Sequence, residues 1–518
     1  MQRRGSRHAG GLPRGRTGRS RPSWIRSVGV IAALILVLSS TAIAVPLRLG
    51  AHQNAKAPQP FIKGPVSQGP RLVFAHYFPP YPISIDNKDS NADFYATSYL
   101  TPDGMNGAYA EFGGMLRDRP LPRTPRPEAD WRRLDLAEEV RHASSVGIDG
   151  FSIDILTAHD SHEWIAPIPT LLLQAAETVN PHFRLMLMPD MNGELGSVTP
   201  QRLASEISRL AASPSAFRLA DGRLVVAPYK AENMSVAWWR EFIAAMKTQY
   251  GQEVALVPVF LDVNAETIAM FSPITFGMSA WGGRNPAFNP IGGFPLDLIR
   301  RVHELKQLWM QPVSMQDYRP SGLMYDEAEN TTNLRHTWQI AIEGHAEWVQ
   351  IVTWNDYSEN SGIAPSVRHG WALLDICSYY IRYFKERSPP PISEDRVFLT
   401  HRTQLIGAPT TSAQTHFAHL RVGSTPGRDA VEALSFLTAP STVTVAVGAS
   451  KTTCAVPAGV STCVAPIGKP GPAGSTVSVD VSRDNRSVVG LVSPYKIVAS
   501  PPVQDLSYAV AGSHRTGR

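Results

Sequence analysis

The sequence predicts a (β/α)8 barrel followed by an all-β, sandwich-like domain. Three observations predict it. Eight short apolar, β-branched runs recur between Leu72 and Thr353, each followed by an amphipathic helical stretch. Eight such units over roughly 310 residues match the count and length of a closed parallel barrel. After Pro389-Pro390-Pro391 the runs become alternating segments punctuated at short intervals by Gly and Pro, the pattern of packed antiparallel sheets. A doubly wound open sheet is the competing architecture, but no Gly-x-Gly-x-x-Gly follows any of the strands to support it.

Taken in order, the chain opens with eight arginines and no acid before Val28, then an apolar run to about Leu38 and an Ala-x-Ala pattern ending at Ala44. Residues 1–47 therefore read as a signal peptide, or as an uncleaved N-terminal membrane anchor if the apolar run is counted to Leu47. Either way the body is expected to be exported. Residues 48–70 form a linker, 71–390 the barrel, 391–509 the β domain and 510–518 a disordered tail. The net charge of +5 is largely that arginine-rich start. The remainder is nearly balanced, which points away from nucleic acid and toward a neutral substrate.

The expected strands are 72–77, 150–155, 184–188, 224–228, 255–260, 274–278, 309–313 and 348–353. Helices are expected over 131–146, 163–179, 200–212, 236–250, 296–308, 326–344 and 371–384, from apolar residues at three- and four-residue spacing such as Leu134, Ala137 and Val140. The loop from Phe78 to about Asp130 is too long for a plain connection, and its aromatic and polar content suits a wall of a cleft. In the β domain, Val397–Thr400, Thr442–Ala446, Val477–Val481 and Ser487–Gly490 read as strands. Cys454 and Cys463 have eight residues between them, including Pro457 and Gly459, a spacing that suits a disulfide across a β-hairpin in an exported chain. Cys377 falls in an apolar helical pattern and reads as a buried thiol. No Cys/His cluster has zinc spacing, so neither a metal nor a cofactor is expected.

A barrel presents the C-terminal ends of its strands on one face. Those ends carry His76-Tyr77, Asp154, Asp190, Tyr229-Lys230 with Glu232, Asp262, Trp281, Gln316-Asp317, and Trp354-Asn355-Asp356 with Glu359. Six of the eight bring a carboxylate, which a core does not need there. Asp262 precedes a helical stretch and doubles as a helix N-cap candidate. Carboxylates rimmed by Trp and Tyr suit a sugar: rings stack on aromatics, carboxylates and amides take hydroxyls, and two carboxyls can serve as acid and base on a glycosidic bond.

The chain resembles glycoside hydrolase family 71, the α-1,3-glucanases or mutanases. The resemblance is carried by Leu72-Val73-Phe74-Ala75-His76-Tyr77, Gly147-Ile148-Asp149-Gly150-Phe151, Pro189-Asp190-Met191 and above all Thr353-Trp354-Asn355-Asp356-Tyr357-Ser358-Glu359. Ser358 and Asn360 stand where the family usually has Gly and Ser. The resemblance implies an inverting, endo-acting hydrolysis of an α-glucan; the protein is expected to be a monomer. Asp356 and Glu359 are the expected catalytic pair, with Asp190 in reserve. His76, Tyr77, Asp154, Tyr229, Lys230, Glu232, Asp262, Trp281, Trp354 and Asn355 are the expected substrate contacts. A barrel hydrolase for another α-linked glycan such as α-mannan, and a non-catalytic carbohydrate-binding envelope protein, are the alternatives.

Overall fold

The structure, a computed structural model, describes residues 69–513. The arginine-rich leader and most of the linker lie outside the described residues, and with them the signal-peptide and anchor expectations. Among the described residues no helix is long and apolar enough to cross a membrane.

The barrel strands are β1 (Leu72–Tyr77), β2 (Gly150–Ile155), β3 (Arg184–Pro189), β4 (Leu224–Val226), β5 (Val254–Leu256), β6 (Val259–Phe260), β7 (Gly277–Ala280) and β8 (Leu308–Val313). Two short strands follow in a loop, β9 (Tyr318–Arg319) and β10 (Met324–Tyr325), before the last barrel strand, β11 (Trp348–Ile351). The sheet order is β5-β4-β3-β2-β1-β11-β8-β7-β6, every pairing parallel. Its two edge pieces are halves of one run. Pro258 has no N–H to give a ladder, which interrupts it. On one side Val257 N donates to Val226 O (2.9 Å) and Val259 N to Pro228 O (3.0 Å). On the other, Phe276 N donates to Leu256 O (2.8 Å) and Ser279 N to Pro258 O (2.9 Å). The run over 254–260 is thus bonded on both flanks, and the sheet closes into an eight-membered ring. The sixth strand begins at Gly277, later than the expected 274, because Ser272–Ile274 forms a 3-10 turn.

The helices are α1 (Trp131–Ser145), α2 (Ile168–Val179), α3 (Pro200–Ala211), α4 (Val236–Tyr250), α5 (Ala265–Phe271), α6 (Phe294–Glu304), α7 (Thr332–Glu343) and α8 (Ala372–Glu386). Side-chain oxygens of Thr199, Ser235 and Asn264 cap α3, α4 and α5. Asn264, with extended backbone, accepts from Glu266 N and Thr267 N. It takes the capping role that Asp262, two residues farther from the helix, was expected to fill.

The C-terminal strands are β12 (Arg396–His401), β13 (His419–Leu420), β14 (Ala430–Leu437), β15 (Ser441–Val447), β16 (Ser450–Val456), β17 (Gly459–Pro466), β18 (Val477–Arg483), β19 (Arg486–Val492) and β20 (Ala509–Gly512). Two antiparallel sheets, β17-β14-β12-β20 and β16-β15-β18-β19, enclose a core that includes Val397, Leu399, Val431, Val443, Val445 and Val479. Residues 510–512, expected in a disordered tail, instead complete β20 against β12. The disulfide Cys454–Cys463, with Cα atoms 5.8 Å apart, joins β16 to β17 and so ties one sheet to the other rather than bracing a hydrogen-bonded hairpin.

Candidate active site

Strand alternation sorts the residues at the barrel mouth. Successive side chains of a strand point to opposite faces. Phe74, Met186, Met188, Val225, Ala227, Val257, Val259, Trp281 and Val352 fill the barrel interior. Val73, Ala75, Tyr77, Phe151, Ile153, Leu185 and Leu187 pack outward against the helices. Continuing the inward set to the C-terminal ends delivers His76, Asp154, Asp190, Tyr229 and Trp281 to the mouth.

These five interlock. The His76 ring lies edge-on to Trp281 at 4.8 Å, its Nε2 is 3.6 Å from Asp154 Oδ2, and its Nδ1 is 3.2 Å from Met188 Sδ. Tyr229 also meets the Trp281 ring, at 4.8 Å. Burial drives the His76 imidazole down to about 3, so it is neutral, and drives Asp154 well above the ordinary carboxylate range, with Asp190 and Asp356 adding repulsion. Asp190 is raised by burial to about 6, opposed by the backbone N–H groups of Asn192 and Gly193 and by Lys230. Asp154 Oδ1 and Trp281 Nε1 are buried without a protein partner.

The loop after β11 supplies the remaining carboxylates. Asp356 Oδ1 accepts from Ser358 N (2.9 Å), Ser358 Oγ (2.6 Å) and Glu359 N (3.1 Å), while its own N–H donates to Thr353 Oγ1 at 2.9 Å. Burial raises it despite those donors. Glu359 is 15% exposed; Oε1 meets Arg319 Nη2 at 2.9 Å and Oε2 has no protein partner. Burial raises Glu359 to about 7, with Arg319 opposing and Asp317 and Asp356 reinforcing. Arg284, buried against the Trp281 ring, and Asp317, clasped by Arg319, complete the charged floor. Arg319 and Arg284 were not among the expected site residues. Arg319 lies two positions past the strand-end Asp317, an alternating-charge signal that strand ends alone do not register.

Three expected contacts are turned to structural work. Tyr77 is fully buried on the outward face, donating to Glu139 Oε2 of α1 at 2.7 Å; being next to His76, it has the opposite parity. Trp354 is fully buried against Phe151 and donates to Glu139 Oε1 at 3.4 Å. Asn355 spends its amide on the first loop: Oδ1 accepts from Phe78 N at 2.7 Å, and Nδ2 donates to Phe78 O at 3.0 Å and Tyr81 O at 2.9 Å. That first loop packs against the loop after β11, with Tyr81, Tyr95, Tyr99 and Leu116 clustered with Tyr357. At the rim, Lys230 Nζ donates to Asn192 Oδ1 at 2.8 Å. Glu232 Oε1 accepts from Leu261 N and Asp262 N at 2.7 and 3.0 Å, and Asp262 itself is exposed. No group of His, Cys, Asp and Glu among the described residues could hold a metal ion.

Comparison with known proteins bears on this arrangement. The ascus wall endo-1,3-alpha-glucanase of Schizosaccharomyces pombe is 22% identical, covering 46% of this chain and 55% of that protein, so the chain spans about half the length of that relative. A mutanase of Penicillium rubens is 25% identical, covering 62% of this chain and 72% of its own. Among solved structures, a GH99 endo-alpha-mannosidase from Bacteroides thetaiotaomicron aligns at 13% identity and a TM-score of 0.47, over 61% of this chain and 97% of that one. The model of glycosyl hydrolase family 71 matches residues 127–511, which take in the carboxylate mouth from Asp154 to Glu359 and the β domain. The chain belongs to glycosyl hydrolase family 71.

Proposed function

We propose that the protein is an exported enzyme that cuts α-1,3-glucan within the chain, with inversion, using Glu359 as general acid and Asp356 as general base. The observation that carries this reading is the convergence of Asp154, Asp190, Asp356 and Glu359 at one end of the barrel, where burial raises the proton affinity of each and different hydrogen-bond donors and cations oppose it. An acid must hold its proton near the working pH; Glu359, raised to about 7, does, and its unpartnered Oε2 is the oxygen free to deliver it. A base must be ionised. The three donors on Asp356 Oδ1 favour its charged form and fix the carboxylate so that the second oxygen can activate water. Asp154, the carboxyl repelled by both Asp190 and Asp356, is the natural place for a shared proton, which leaves those two anionic. Asp190, across the mouth, is the reserve base. Trp281 and Tyr229 offer rings, and the unpaired polar atoms of Asp154, Trp281 and Arg284 suit a hydroxyl-rich ligand.

The relatives named as endo-1,3-alpha-glucanase and mutanase support α-1,3-glucan as the substrate. The Cys454–Cys463 bridge supports an oxidising, extracytoplasmic setting. The test is product analysis on defined α-1,3-glucan and α-mannan, following the anomer first released by proton NMR. Internal cleavage of the glucan with release of the β-anomer is expected. Cleavage of mannan alone would move the substrate, α-anomer release would replace inversion by retention, and binding of glucan without turnover would leave a carbohydrate-binding protein.

A further inference from the structure

A chain of ionic contacts runs from the proposed proton donor out of the barrel and into the β domain. Arg319 Nη2 meets Glu359 Oε1 at 2.9 Å and Asp317 Oδ2 at 2.7 Å. The same Asp317 oxygen accepts from Arg421 Nη2 at 3.1 Å, and Arg421 Nε donates to Asp326 Oδ2 at 2.8 Å. Asp317 is 1% exposed, so its charge needs these cations. Arg421 is the member supplied by the C-terminal domain, and backbone bonds place it. Strand β13 adds to β10 of the β9–β10 hairpin, and Arg421 N donates to Tyr325 O at 2.8 Å. The hairpin in turn holds the catalytic loop: Tyr318 N donates to Glu359 O at 2.7 Å, and Asn360 Nδ2 to Tyr318 O at 2.8 Å.

We propose that Arg421 is a positioning residue for the proton donor: by sharing the charge of Asp317 it leaves Arg319 able to hold Glu359. The proposal rests on Glu359 being the acid, and it gives the β domain a part in the chemistry. Arg319 sits between two carboxylates that compete for it. Arg421 satisfies part of Asp317 and reduces that competition. Without Arg421, Asp317 draws Arg319 to itself, and Glu359 loses its closest cation. The other groups facing Glu359 are Arg284, which attracts, and Asp317, Asp356 and Tyr229, which favour its neutral form or are repelled by its charge. Asp326, on the far side of Arg421, would then press its charge on the same cluster. Every one of these changes favours protonated Glu359. Its proton would leave at higher pH, and its carboxyl would be less well aimed.

The test uses the full chain with Arg421→Gln and Arg421→Lys. Arg335→Gln is the control, because it removes a different ion pair across the same domain boundary, Arg335 with Glu432 at 3.4 Å. Infrared difference titration, each protein minus its Glu359→Gln counterpart, reads the Glu359 midpoint directly. The pH dependence of kcat/KM on α-1,3-glucan reads whether that midpoint governs turnover. In Arg421→Gln both are expected to move up together by at least about half a pH unit, with kcat lowered several-fold and KM little changed. Arg421→Lys should recover part of the shift, and Arg335→Gln should overlay the unaltered enzyme. A wild-type midpoint in Arg421→Gln, or an equal shift in Arg335→Gln, would overturn the proposal. A shifted midpoint in a protein whose Glu359→Gln variant still turns over would leave the charge chain standing and overturn the acid assignment instead.

Discussion

The two sheets of the β domain are built from similar residues yet are buried differently. Strands β12 and β14 are buried at every position, whereas β15 alternates buried and half-buried residues along its length. The first sheet is covered twice. One face meets the second sheet, and the other meets the barrel, where Phe436 packs on Tyr379 of α8 at 5.0 Å and Phe398, Leu434 and Val510 join the barrel's own core. The second sheet keeps an open face. A β-strand covered on both sides reads as a continuous apolar run, and one covered on a single side reads as an alternation. The first sheet thus behaves as an extra layer of the barrel, and the second as a cap fastened by a disulfide. Chemistry follows the same division, since the carboxylates converge where the barrel's inward parity runs out and the outer sheet carries no comparable cluster.

Substitutions put that division to the test. The largest effect is expected at the mouth. Glu359→Gln and Asp356→Asn should each lower kcat by at least about 10²-fold, the lower end of what a positioned acid or base contributes. Thermal midpoint and glucan affinity should change little; if the variants instead melt early and lose binding and turnover together, the loop is structural. Removing the bridge with Cys454→Ser and Cys463→Ser is expected to lower stability by about 2–3 kcal/mol. Denaturant unfolding should register that loss while kcat of the folded enzyme stays near normal, and a collapse of kcat at 25 °C would show that the outer sheet is not merely a cap.

A pH effect comes next. Burial raises Glu139, beneath Tyr77 and Trp354, to about 8. A carboxyl whose folded-state pKa is raised supports the fold below its unfolded value of about 4.3 and loses that support as pH rises through the folded value. The unaltered enzyme should therefore lose melting temperature between pH 5 and pH 9 more steeply than Glu139→Gln, and parallel curves would show that Glu139 is already ionised in the fold. The smallest effects belong to the rim: Asn264→Ala should cost about 1 kcal/mol as a lost cap, while Asp262→Asn should stay within about 0.5 kcal/mol. The reverse order in thermal unfolding would return the capping role to Asp262.

Strand β1 and strand β2 were legible to the residue, because parallel strands covered on both faces leave long apolar runs. The inward members of the mouth were legible too, since each closes such a run. Tyr77 was misassigned although the information was present: adjacency to His76 alone places it on the opposite face. Trp354 and Asn355 are different. They follow β11 in irregular backbone, where no period tells inside from outside, and only the fold reveals that Glu139 and residues 78–81 lie waiting for them. Arg421 was out of reach for the same reason, compounded by distance. A pairing between β10 and β13 across nearly a hundred residues leaves no local trace.

The closure of the barrel between β1 and β11 sets an order of events during synthesis. Asn355 binds the backbone of residue 78 across 277 positions of sequence, so the first loop and the loop after β11 cannot meet until almost the whole barrel has left the ribosome. Contacts this distant are reached late, after nearer pairings have already reduced the entropy of bringing them together. Asp356 and Glu359 are therefore brought to Asp154 and Asp190 last, by a seam of apolar residues at Val73, Ala75, Val349 and Ile351 that is already drawing shut. A chain stopped short of residue 348 would have Asp154 and Asp190 but neither Asp356 nor Glu359. The proposed acid and base thus reach the mouth together with completed barrel closure.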